Sequence, residues 1–283
     1  MDAVERVRYE IVKEGVARVT LTRAETWNSQ DMHMLYQLDA AYSRAAGDVA
    51  VKVIVLAADG DNFSYGHDLD ALCSTEGLHA RGFAAGLNTP GIEGTMAWEE
   101  EVFLGLSWRW RNFPKPIIAQ VQGACSAGGL LLAWPCDIIV ASESAVFSDP
   151  VVALGLNGVE AFFHPWELGA RAAKEMLFTG DGVTAAEAYR LGMVNRVVPL
   201  EELASTTLEM AAKIATRPSF ALKLAKQSVN AALDAQGQEA AFKSAFALHQ
   251  VAHAHNRIVS NQYIDPVGFD LLGVPRMDAT IPF

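Results

Sequence analysis

Val7 to Arg23 alternates apolar and polar residues on either side of Lys13-Glu14-Gly15, which predicts a two-stranded hairpin with one buried face. From Asp31 to about Gly47 the period changes. Met34, Leu35, Leu38, Ala41, Tyr42 and Ala45 recur at helical spacing, with Gln37, Asp39 and Arg44 between them. Val51 to Ala58 is short, β-branched and nearly all apolar, the pattern of a strand covered on both faces, and Asp59-Gly60-Asp61 stops it. Ser74 to Gly94 lacks periodicity and reads as a long surface excursion. Trp98 to Trp110 predicts a helix and Lys115 to Val121 a second buried strand. A small-residue turn, Gly123 to Gly129, leads into a short buried helix at Leu130 to Trp134, and Cys136 to Ala141 is a further strand. Strands alternating with helices point to βαβ crossovers, hence an α/β fold whose mainly parallel sheet is covered by helices.

Beyond Leu200 the strand pattern ends. Glu201 to Ile214, Ser219 to Ala232 and Gln238 to about Val259 each carry a helical apolar stripe, which places a boundary near residue 200: a core over 1–200, then a helical region and tail over 201–283. Asp265 to Phe283, with Pro, Gly and isolated apolar residues, reads as a strap packed on a neighbour.

Composition narrows the class. The 283 residues are 51% hydrophobic and 19% charged, a globular balance with too many apolar groups for disorder. A net charge of −11 argues against nucleic acid as a partner, since phosphate neutralisation needs a Lys/Arg surface. Three widely spaced cysteines, Cys73, Cys125 and Cys136, in apolar surroundings fit a reducing compartment and provide neither a disulfide framework nor a metal site. The opening MDAVERVRYE has neither signal-peptide nor transit-peptide character, and no stretch has bilayer-spanning length, so the expected location is the cytoplasm with no membrane partner.

Chemistry concentrates in two glycine-bearing segments, Phe63-Ser-Tyr-Gly-His-Asp-Leu69 and Gly123-Ala-Cys-Ser-Ala-Gly-Gly129, each following a predicted strand. Glycine there lets backbone approach a ligand, and N–H groups are left without partners. The second segment precedes a helix, whose N-terminus favours an oxygen becoming negative. Singly, each segment is as well explained by tight packing.

Together with their flanks they are more specific. Phe63-x-x-Gly66-x-Asp68-Leu69, Pro116-Ile-Ile-Ala-x-Val-x-Gly123, Ala127-Gly128-Gly129, Cys136-Asp137-Ile138 and Phe147, in that order and spacing, resemble the crotonase (enoyl-CoA hydratase/isomerase) family. Arg23 to Asn28 and Met176 to Pro199 extend the resemblance, which covers roughly residues 4 to 230. It implies a crotonase-like spiral of ββα units, a C-terminal helical trimerisation region, and a homotrimer or dimer of trimers. It also implies an acyl-CoA thioester whose carbonyl sits between two backbone N–H groups, those of His67 and Gly128. Coenzyme A then arrives with the substrate and no separate cofactor is needed. On the same grounds Ser64, Gly66, Asp68 and Leu69 lie on the coenzyme A side, and Arg23 with Lys223 or Lys226 contacts its phosphates. Asp68 is equally well read as the cap of a following helix.

The chain departs from the hydratases at their two glutamates, which align with Leu131 and Val151. Neither side chain can transfer a proton or orient water, each such group being worth about 10²- to 10⁴-fold, which argues against standard hydration. Other side chains are candidates to supply the missing chemistry. Glu160 lies in Gly155-Leu-Asn-Gly-Val-Glu160, where dehalogenase and carbon–carbon hydrolase relatives place a functional acid; otherwise it is an acid near a helix start. Asp149 before Pro150 reads as an acid or as turn chemistry. His164 reads as an acid/base or as a structural imidazole, and the His67 ring faces either the pocket or solvent. His249, His253 and His255 include an i, i+4 pair, but without HExxH-type context they are expected on a solvated or oligomer-facing surface, and no metal site is expected. Trp98, Trp108 and Trp110 read as core or subunit contacts, with an acyl pocket as the alternative. Functionally the sequence leaves an acyl-CoA enzyme (double-bond shift, carbon–carbon cleavage, thioester hydrolysis or weak hydration) and a catalytically silent acyl-CoA carrier or sensor.

Overall fold

A computed structural model of the chain describes residues 4–69 and 89–273. Nine strands are present among them: β1 (Val7–Lys13), β2 (Val16–Leu21), β3 (Val53–Ala58), β4 (Ile117–Val121), β5 (Ala124–Ser126), β6 (Ile138–Ser142), β7 (Val146–Ser148), β8 (Val183–Thr184) and β9 (Arg196–Val198). The helices are α1 (Met32–Gly47), α2 (Ile92–Glu99), α3 (Leu106–Arg111), α4 (Leu130–Ala133), α5 (His164–Leu168), α6 (Ala170–Thr179), α7 (Ala185–Leu191), α8 (Leu200–Ala215), α9 (Ser219–Ala235), α10 (Gln238–Ser260) and α11 (Val267–Leu272).

Six strands form one sheet in the order β1-β2-β3-β4-β6-β9, in which only the β1–β2 hairpin is antiparallel. Alternation along the strands sends side chains to opposite faces. Ile54, Leu56, Ile117, Ala119 and Ile139 join the main core with α1, which starts where Asp31 accepts a bond from Met34 N–H at 2.8 Å. Val53, Val55, Ile118 and Val140 face the other way and are closed by Leu203, Ala211 and Ala215 of α8. The boundary placed near residue 200 is therefore not the edge of the core, because the first helix beyond it covers one face of the sheet. A second sheet, β5-β7-β8, carries the glycine turn.

α9 and α10 are tied to the core by polar bonds. Lys226 of α9 meets Asp137 at 2.8 Å with its side chain buried, and Arg111 reaches Asp234 of α9 at 2.9 Å and Gln238 of α10 at 2.5 Å. Lys226 is thus engaged within the protein, which corrects its reading as an available phosphate contact.

Two expectations were incomplete. The predicted helix over Trp98 to Trp110 is α2 and α3 joined by a π-helical segment, Glu100–Gly105, a widening sequence periodicity does not reveal. The start of the expected strap is instead helix α11, whose Phe269 packs with Tyr263 and Ile264 in a small separate cluster; the rest of the strap lies outside the described residues, as do Cys73 and most of the expected excursion. No helix among the described residues is long and apolar enough to cross a membrane.

Candidate active site

The two glycine segments meet. Ser64 N–H bonds Ala124 O at 3.1 Å, and Ser126 N–H returns to Ser64 O at 2.9 Å. Gly66 takes a φ of +98°, and a Cβ built there would stand 2.8 Å from Gly128 N, so only glycine allows this approach. Ser64, fully buried, fixes the corner: its hydroxyl donates to Asn28 O at 2.8 Å and lies 3.2 Å from Gln30 Nε2, which keeps it within the protein's own bonding.

Both candidate N–H groups are left open by local geometry. Next to His67, Gln30 N–H bonds Gly66 O at 2.7 Å and Asp68 N–H bonds Gln30 O at 2.9 Å, so the intervening His67 N–H points to the opposite side of the bridge. Gly128 is the second residue of a 3₁₀ turn, Ala127–Gly129, where an N–H has no carbonyl one turn behind it. Ala127 before it has a φ of +47°, a left-handed setting that costs a non-glycine residue about 1–3 kcal/mol and aims the turn.

His67 turns inward. Its Nε2 lies 3.1 and 3.3 Å from the two carboxylate oxygens of Glu160, and the side chains are only 13% and 6% exposed. Phe103, in the π-helical segment, packs on the ring in a tilted arrangement at 4.1 Å between centroids. Burial raises the Glu160 carboxyl's affinity for a proton, but the charge and hydrogen bond of His67, followed by the charge of His249, outweigh it and bring the pKa well below the ordinary glutamate range. An ionised carboxylate only accepts, so Nε2 carries the hydrogen between them. That leaves Nδ1, buried and without a hydrogen-bond partner, on the ring edge packed against Gly128: a Cβ there would lie 2.7 Å from Cε1 and 2.8 Å from Nδ1.

The loop carrying Glu160 is held from two sides. Asp149 Oδ2 accepts from Val159 N–H at 3.0 Å and lies 2.7 Å from His164 Nε2, and its Oδ1 accepts from Val151 N–H at 3.3 Å. Both side chains of the Asp149–His164 pair are 0% exposed. Asp149 is therefore a loop anchor with its oxygens engaged, which corrects its reading as a group acting on substrate, and His164 takes the structural alternative. On the other side His249 Nδ1 bonds Gly158 O at 2.8 Å.

Of the remaining candidates, Arg23 binds Asp68 at 2.7 Å and Ser29 O at 2.6 Å, so the two residues assigned to coenzyme A neutralise each other. Leu69 is 39% exposed. Leu131 and Val151 are both buried in the main core, as are Trp98 and Trp110. His249 and His253 overturn their surface assignment, being 2% and 1% exposed. They lie on the stripe Phe242, Phe246, His249, His253, Asn256, all buried at spacings of three and four, and that pattern was the available signal. Glu99, buried on α2 beside them, was missed; its only sequence mark is an acid at the end of an apolar helical run.

Comparison with known proteins finds relatives over nearly the whole chain. The family model described as enoyl-CoA hydratase/isomerase matches residues 12–262. A Mycobacterium tuberculosis protein carrying the name "Putative enoyl-CoA hydratase EchA13" is 44% identical over 89% of this chain and 81% of its own. The crystal structure of a probable enoyl-CoA hydratase from Mycobacterium smegmatis superposes with a TM-score of 0.84 at 47% identity, covering 92% of this chain and 98% of that one. An enoyl-CoA hydratase/isomerase from Xanthobacter autotrophicus gives 0.81 at 31% identity, covering 98% and 94%.

Proposed function

The chain belongs to the enoyl-CoA hydratase/isomerase family and has the crotonase fold, and from that premise we propose that it moves a proton on the carbon next to an acyl-CoA thioester, using His67 and Glu160 in place of the two hydratase glutamates. The His67 and Gly128 N–H groups receive the thioester oxygen as it becomes an enolate; one such donor is worth about 2.7–4 kcal/mol of transition-state stabilisation. His67 Nδ1 gives and takes the proton, and Glu160 on Nε2 fixes the tautomer and offsets the imidazolium charge, the division of labour of a carboxylate-oriented histidine base.

The observation that carries this reading is the partnerless, buried Nδ1 against Gly128 while Nε2 is held by Glu160. One acid/base group suffices to carry a proton from one carbon to another within an enoyl chain. Hydration needs a second group to activate water, and Leu131 and Val151 supply none. A double-bond shift is therefore the reaction the site favours. The thioester brings its own coenzyme A and the chemistry requires no other cofactor. The exposed apolar residues Phe220, Leu224 and Val229 on α9 and Leu248, Val251 and Ile258 on α10 support homo-oligomer formation through these helices.

The test is incubation with 2-enoyl- and 3-enoyl-CoA thioesters of several chain lengths, following double-bond conjugation by ultraviolet absorbance and water addition by mass. Conversion of 3-enoyl to 2-enoyl substrate with little hydration supports the proposal. Hydration faster than the double-bond shift overturns the choice of reaction, and tight binding of unchanged thioesters overturns the enzyme in favour of the carrier.

A further inference from the structure

Behind the dyad, a second group of buried polar side chains is unused by the chemistry above. Glu99 comes from α2, and His249 and His253 from successive turns of α10. One carboxylate oxygen of Glu99 and one ring nitrogen from each histidine all lie within 4.8 Å of one another. Each histidine's Nδ1 faces a backbone carbonyl at 2.8 Å, Gly158 O for His249 and Tyr263 O for His253. A carbonyl can only accept, so both Nδ1 atoms carry the hydrogen, and in its neutral form each ring presents a bare Nε2 lone pair.

Those lone pairs do not face donors. His249 Nε2 is 3.9 Å from Glu99 Oε2 and 3.9 Å from Glu160 Oε1, and His253 Nε2 is 3.1 Å from Glu99 Oε1, yet neither nitrogen makes a hydrogen bond. At 3.1 Å that is a matter of direction: the ring is aimed beside the carboxylate. Two nitrogen lone pairs and a carboxylate converging in a buried space are costly unless something positive lies among them.

We propose that Glu99, His249 and His253 bind a divalent transition-metal ion of the zinc class. Two imidazoles and one carboxylate are a borderline donor set suited to such an ion. Zinc holds nitrogen and oxygen donors at about 2.0–2.2 Å, so donors of one shell stand within about 4.4 Å of one another, a separation this cluster reaches by small side-chain shifts. The supporting bonds follow metal-site practice as well: each ligating imidazole has its other nitrogen on a carbonyl, and Gln250 Nε2 bonds Glu99 Oε2. The ion clamps α10 to α2 and, through His249, braces the loop that carries Glu160. Because the ligands are buried, loading accompanies folding. The site does not depend on the reaction proposed above, and its test reads the metal directly.

Full-length protein, stripped with EDTA and titrated with zinc chloride, should bind one equivalent per chain, with a thermal midpoint raised by zinc and returned by EDTA. Cobalt(II) chloride should give a visible absorption band. Glu99→Gln and His249→Gln should each lose the equivalent, while His255→Gln, altering an exposed neighbour, should retain it. Absence of saturable zinc binding and of a cobalt band in the wild-type protein overturns the proposal whatever the variants do, as does binding that survives in folded Glu99→Gln and His249→Gln.

Discussion

Two carboxylate–imidazole pairs stand a few residues apart in this protein, and they differ in everything but their chemistry. Asp149 and His164 meet at 2.7 Å, and Asp149 also accepts two backbone N–H bonds. The His164 ring lies against Trp134 at 4.7 Å and Phe162 at 4.5 Å, so its free edge faces aromatic wall. Glu160 and His67 meet at 3.1 Å, and the free ring edge of His67 faces Gly128, where a peptide N–H is open. The same two functional groups make a rivet in one place and a proton-transfer device in the other. What surrounds the second ring nitrogen decides which.

The largest separation between the pairs should come from turnover. Glu160→Gln and His67→Gln should each lower the rate of the double-bond shift by about 10²- to 10⁴-fold in protein that still unfolds in a single cooperative urea transition. Asp149→Ala should do the reverse in stability: it strands a buried imidazole and two N–H groups, and unfolding titrations should show a loss of about 3–5 kcal/mol. If Asp149→Ala spared stability and abolished turnover, the roles of the two pairs would be exchanged.

A smaller effect should come from Gly128→Ala. The added methyl meets the His67 ring at 2.7 Å and must displace it, so turnover should fall by up to about 10²-fold, more than stability changes; steady-state kinetics beside a thermal melt checks this. The smallest concerns pH. The Glu160 carboxyl is lowered from 4.5 to about 2, so its contribution is fully present above the ordinary carboxylate range and is lost as pH falls through the lowered value. The difference in unfolding free energy between wild type and Glu160→Gln should therefore shrink on acidification from about pH 5 towards pH 2.

The elements that burial patterning controls were legible in the sequence. The β1–β2 hairpin, α1, β3 and β4 each repeat with the period of their own structure, and the three C-terminal helices have apolar stripes. The two glycine corners were legible as well, not singly but through the order and spacing of the residues that flank them. The direction of the His67 ring was not: it is set by Phe103, which a π-helical insertion brings against it from a distant segment. Asp149 and His164 could be singled out but not joined, since their pairing needs the loop over 155–160 to close between them. Glu99, His249 and His253 were the least legible group. Two helices about 150 positions apart must pack before their side chains share a space, and histidine spacing on one helix does not say whether that face is wet.

The central claim is that His67 carries the proton while Glu160 holds it in place. It is tested most directly by exchange of the acyl α-hydrogens of bound acyl-CoA thioesters in deuterated water, followed by proton NMR in wild type and His67→Gln at matched saturation. The account predicts enzyme-dependent deuterium uptake in the wild type and its disappearance in His67→Gln with thioester binding retained. Uptake that continues undiminished in His67→Gln contradicts it.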